Sequence, residues 1–182
     1  MHTIVYIFLT FVIVFGLLGI IYINCYNIMH NHIIRLNEAE SMIDESLRVR
    51  YDLINSITKI LKKETKLELK EFKELNDLKK DEVSSFDFDR ATTKCIDLVY
   101  QIKKDYPNLD EVEEFRNVFQ KIKFSEEKIE AAKIFYNAYT TKLNKLISKF
   151  PSNIIARIHR LNKRYYFDGK NMDDDIYNDF KL

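Results

Sequence analysis

The run Ile4 to Ile23, IVYIFLTFVIVFGLLGIIYI, carries no charged residue and would be apolar all round as a helix. At a rise of ~1.5 Å per residue it extends roughly 30 Å, the thickness of a bilayer's hydrocarbon core. A cleaved signal peptide needs a basic leader, a shorter apolar core and a small-x-small cleavage site. Only Met1 and His2 precede this run, and Asn24, Cys25, Tyr26 and Asn27 follow it, so residues 1–24 read as a retained transmembrane anchor. Lys and Arg are missing before the span, whereas Arg35, Arg48 and Arg50 follow it. By the positive-inside rule this predicts a single-pass cell-membrane protein, its short N-terminus outside and the rest cytoplasmic.

The ~155 residues beyond the span suffice for one compact domain. With 29 Lys and Arg against 28 Asp and Glu, the net charge of +1 gives no global case for nucleic-acid binding. Any electrostatic partner must be sought locally. Three Gly and two Pro in 182 residues leave too few turn formers for a strand-rich fold and point to helices. Two cysteines, Cys25 and Cys95, make neither a disulfide framework nor a zinc site. Cys95 shares helical spacing with Phe88, Ala91, Leu98 and Ile102 and reads as a core residue.

From Ile33 to Leu61 apolar residues recur at three- and four-residue spacing, through Leu36, Ile43, Leu47, Ile54 and Ile57. No Gly or Pro intervenes between Ile20 and Lys104, so the membrane helix is expected to run on into the first soluble helix. Residues 62–82 form a mixed-charge stretch, expected to be an exposed helix end or connection. Ser84-x-x-Asp87 then resembles a capping box for a second helix over about 86–105. Tyr106-Pro107-Asn108 ends it, and Asn108-x-x-Glu111 is expected to cap a third helix. That helix carries Val112, Phe115, Phe119, Ile122, Ile129, Tyr136, Leu143, Ile147 and Phe150 on one seam until Pro151. Such stripes can be buried only against one another. Glu40, Arg50 and Glu126 interrupt the seams and, if buried, need partners.

No constellation suggests catalysis, a metal or a cofactor. His30 and His32, two apart, would face different sides of a helix, and three Gly cannot make a phosphate loop. Asp173, Asp174 and Asp175 lack the alternating ligands and closing Glu of a calcium loop, so residues 168–182 read as a flexible acidic tail. Ser152 to Phe167, read as a helix, sets Ile154, Ile155, Ile158 and Leu161 against Arg157, Arg160, Lys163 and Arg164. The favoured reading is a short last helix whose Ile residues cap the core. The rival is an interfacial helix whose four cations face anionic lipid.

Several separate stretches carry a resemblance. EAESMIDESLRVRYDLI over 38–54, EEKIEAAKIFYN over 126–137, FPSNIIA over 150–156, the Tyr106-Pro107-Asn108-Leu109 junction and Tyr165-Tyr166-Phe167 resemble the LemA family of bacterial membrane proteins in order and spacing. The chain departs from it at Asn55, where the family often has Pro, at Glu40, often aromatic, and in the higher charge of 62–82. The resemblance implies an all-α fold, with an N-terminal transmembrane helix continuing into an antiparallel, up-and-down bundle of three long helices and a short C-terminal one over 25–167. It implies no enzyme. The motif residues Ile43, Asp44, Arg50, Tyr51, Asp52, Phe135, Tyr136, Asn137, Pro151, Ser152 and Asn153 are then expected to act in packing. The expected role is a non-catalytic interaction or scaffolding platform at the bilayer, for a protein partner or self-association, without nucleic acid or small-molecule substrate. Membrane-surface binding is the alternative.

Overall fold

The computed structural model describes residues 2–65, 67, 72, 75 and 84–167. These residues are mostly helical and include no strand. Helix α1 spans His2–Thr65, α2 Ser85–Asp105, α3 Glu113–Ser148 and α4 Ser152–Ile158, with a 3-10 turn at Pro107–Glu111 between α2 and α3. The absence of Gly and Pro beyond Ile20 leaves α1 without a breaker, and it continues unbroken for 64 residues. Its apolar N-terminal window, of mean hydropathy 2.9, has nothing packed over it and is long and apolar enough to cross a membrane.

The chain gathers into two compact units, and α1 and α3 each supply residues to both. Among the described residues, the first unit takes 2–37 and 136–166, the second 38–135 with 167. In the first, Met29 and Leu36 of α1, Leu143 of α3, and Ile155 and Ala156 of α4 form the core. In the second, the predicted stripe of α1 meets Cys95, Ile96, Val99 and Ile102 of α2 and Phe115, Phe119 and Ile122 of α3. Each such side chain contributes roughly 1.5–3 kcal/mol on full burial.

The Ser84 hydroxyl accepts from the Asp87 backbone N–H at 3.2 Å, as its capping box predicts. Asn108 does not cap α3. Pro107 opens the 3-10 turn instead, and α3 starts only at Glu113. Two further expectations need correction. Phe72 and Leu75, in the charged stretch, are buried in the second unit's core, while the rest of 68–83 and the tail 168–182 lie outside the described residues. Phe150 is 79% exposed, because α3 ends two residues before it and its seam ends with the helix.

Candidate functional site

Two polar features stand out, one in each unit. In the second unit, Arg50 of α1 is 4% exposed and Asp89 of α2 6%. Arg50 Nη1 donates to Asp89 Oδ1 at 2.9 Å and, more weakly, to Thr93 Oγ1 at 3.4 Å. The other carboxylate oxygen of Asp89 lies 2.5 Å from Lys133 Nζ of α3, so one carboxylate ties three helices. Lys133 also stands 5.4 Å from the centre of the Phe167 ring, which meets Phe86 edge-on. Burial pulls the Arg50 pKa down, opposed by the charges of Asp89, Glu126 and Glu130 and by the bond Arg50 donates to Asp89. Arg50 Nε and, one turn earlier, Ser46 Oγ are buried without a hydrogen-bond partner. Each such atom costs roughly 1–3 kcal/mol.

Of the three charges that interrupt the predicted seams, Arg50 is thus buried and paired. Glu126 is half-buried and accepts from the Tyr100 hydroxyl at 2.9 Å. Burial, then the bond to Glu126 and the charges of Glu126 and Asp97, pushes the Tyr100 phenol up to about 12. Glu40 is exposed. The first residue of α2, Ser85, bonds Asp44 of α1, so Glu40 lies a turn beyond the reach of α2 and has nothing to bury it.

Among the motif residues, Ile43, Tyr51 and Ser152 are buried, and the Tyr51 ring packs 5.9 Å from Phe88. Tyr136, Asn137, Pro151 and Asn153 are half-buried, and the Asn153 side-chain oxygen lacks a partner. Asp52 and Phe135 are exposed and belong to neither core cluster. Asp89 and Lys133 escaped the sequence reading. Asp89 was nonetheless detectable, since it interrupts the apolar seam of α2 as Arg50 interrupts that of α1.

In the first unit the cations of 152–167 are presented differently from expectation. The helix stops at Ile158, and Arg160 takes a left-handed backbone with φ 53°. Arg160 N–H bonds Arg157 O at 3.2 Å and Leu161 N–H bonds Ala156 O at 2.9 Å. This is the Schellman closure of a helix end, with Arg where Gly is favoured. Residues 161–166 then run non-helically, held by buried Asn144, whose Nδ2 donates to Arg164 O and whose Oδ1 accepts from Arg164 N–H, both at 2.8 Å. On α4, Ile155 faces the core as predicted and Ala156 joins it, but Ile154 and Ile158 are 53% and 62% exposed. Arg157, Arg160, Lys163 and Arg164 are exposed as well.

The described residues of this unit contain eight Lys and Arg and no Asp or Glu. Arg35 comes from α1, Lys142, Lys145 and Lys149 from α3 and its end, and the other four from α4 and the non-helical segment after it. Burial first, then the charge of Lys142, pushes the pKa of His32 below its ordinary value. No group of three or more potential metal ligands forms among the described residues.

A model of the LemA family matches residues 39–178. The chain belongs to the LemA family. The match begins after the apolar run, so membership rests on the helical part, and both the Arg50–Asp89–Lys133 cluster and α4 lie inside the LemA region. No curated protein matches the chain.

Proposed function

We propose that this LemA-family chain is a non-catalytic, single-pass protein of a bacterial membrane whose antiparallel helices serve as a platform for a protein partner or a second copy. The observation that carries the reading is the outer face of α3. There Phe124 and Ile134 are 69% and 62% exposed, with exposed Ala131 between them, on the side of the helix opposite buried Ile122 and Ile129. Two large apolar side chains on one exposed stripe, with no covering element among the described residues, suit a contact made with another molecule. The buried charges meanwhile pair with one another, in a cluster that joins helices. The apolar first part of α1 supports the anchor, and Arg35, close beyond it, supports a cytoplasmic position for the helices on that side.

The test is photo-crosslinking of the full-length chain in its native membrane, from a reactive residue placed at Phe124 or Ile134. A discrete covalent product is expected from both positions and none from Lys94, exposed on α2. Equal, diffuse labelling from all three positions, or no product at all, would overturn the reading.

A further inference from the structure

We infer that α4 is a second membrane contact, seated through its apolar side chains in the headgroup layer of the bilayer that α1 crosses. This rests on the anchoring part of the proposed function and goes beyond its platform role. Its basis is the height at which α4 meets α1. At the start of α4, the Ser152 hydroxyl donates to the Cys25 sulfur at 3.8 Å. At the other end, the Tyr22 hydroxyl lies 2.7 Å from His159 Nε2, and the Tyr26 ring packs 4.7 Å from the same imidazole. Between these two fixings, Ile155 and Ala156 share a core with Met29. The whole of α4 is therefore held against residues 22–29 of α1.

That stretch of α1 has a defined depth. The apolar run ends at Ile23, so Cys25 lies ~3 Å and Met29 ~9 Å beyond it along the helix. The headgroup layer on each side of a bilayer is roughly 5–8 Å deep. The contacts of α4 thus begin at the hydrocarbon edge, at Tyr22, and end near the outer limit of the headgroups, at Met29. Tyr22 and Tyr26, which hold its far end, are of the residue type that collects at this boundary.

What the helix presents at that depth is apolar. Its inner residues Ser152, Ile155 and Ala156 are buried, whereas Ile154 and Ile158 are 53% and 62% exposed, and Phe150, two residues before the helix, is 79% exposed. Ile154 and Ile158, four apart, share one helix face. In water such a face is unfavourable, and at the acyl and headgroup boundary it is what an interfacial helix buries. The one charged side chain of α4 is Arg157, whose long stem lets a cation reach outward while the helix lies low. Seven residues are too few to hold a helix in isolation, so its packing on α1 sets its place. Lipid already fills the layer at this height, which makes the bilayer its occupant. Because the contact is apolar, neutral lipid suffices. Two contacts with one bilayer then restrict rotation of the first unit about the axis of α1.

The chain contains no Trp, so a single introduced Trp reports its own surroundings. Full-length F15W, I154W, I158W and K142W are each reconstituted into phosphatidylcholine vesicles whose lipids carry bromine, a quencher, either near the headgroup or deep in the acyl chains. F15W tests the anchor alone and should lose emission mainly to the deep bromines. I154W and I158W should lose more emission to the shallow bromines than to the deep ones, with emission shifted to the blue of Trp in water. Adding phosphatidylglycerol should leave that loss unchanged. Lys142 stands over the Tyr139 ring, which meets His32, ~13 Å beyond Ile23, so K142W should keep its emission. Quenched F15W with unquenched I154W and I158W would overturn the seating of α4 and leave the anchor standing, whereas unquenched F15W would overturn both. Blue-shifted but unquenched I154W and I158W would show protein covering them, and quenching that requires phosphatidylglycerol would assign the contact to charge. Either result, or K142W quenched as strongly as the two α4 positions, would also overturn the inference.

Discussion

Replacing Asp89 by Asn removes the one carboxylate that both Arg50 and Lys133 contact and leaves two cations facing each other across helices α1, α2 and α3. Breaking a buried ion pair from one side costs roughly 3–5 kcal/mol, because the surviving charge stays desolvated. Here the side chains of Arg50 and Asp89 are 5% and 8% exposed, so that penalty applies to Arg50 nearly in full. Lys133, at 21%, can turn its ammonium outward, and Glu126 and Glu130 still act on Arg50 from a distance. The lower end, about 3 kcal/mol, is therefore expected. For a chain of this size that is a fall of roughly 6–12 °C in melting temperature. Thermal circular dichroism of the full-length protein in detergent measures it. The double variant R50M/D89L should melt well above the sum of the two single losses, since two apolar side chains of similar bulk leave no stranded charge. A shift under about 2 °C for D89N, or strict additivity in the double variant, would refute the claim that this cluster holds the three helices together.

Phe115→Ala, at a fully buried ring, should cost about 3–5 kcal/mol, whereas Phe150→Ala, at an exposed one, should change the melting temperature little. Tyr100 has its pKa raised, so the folded chain holds that proton longer than the unfolded one. Its contribution to stability is present below the unfolded value near 10 and is lost as pH rises from there through about 12, and Tyr100→Phe should remove the highest-pH phenolate step from the absorbance titration. For His32 the shift is downward, so the unfolded chain binds the proton more readily and this residue's stabilisation fades as pH falls through 6.5. NMR titration should find its pKa below that value.

Much of this architecture could be read from residue spacing. The stripe from Leu36 to Leu61 and the cap at Ser84 needed only helical periodicity and local hydrogen-bonding chemistry, and they appear where that chemistry puts them. What spacing does not carry is which stripe residues another helix will reach. Glu40 and Arg50 occupy equivalent seam positions, yet only Arg50 lies alongside α2, whose first residue meets α1 at Asp44. The end of α4 was illegible for a different reason. Helix stops are usually announced by Gly, and here Arg160 takes the left-handed position. The cations of the first unit were hidden because its described segments, 2–37 and 136–166, are far apart in sequence and their charge is cancelled by that of the remainder when the chain is summed as a whole.

The proposal stands first on α1 crossing the bilayer through its apolar run, Ile4 to Ile23. Spin labels placed singly along α1, in the full-length chain reconstituted into vesicles, report depth through their relative exposure to oxygen and to a water-soluble nickel complex. Oxygen-dominated exposure is expected from Ile4 to Ile23, with a crossover to nickel near Tyr26. Nickel exposure in the middle of the apolar run would contradict the anchor.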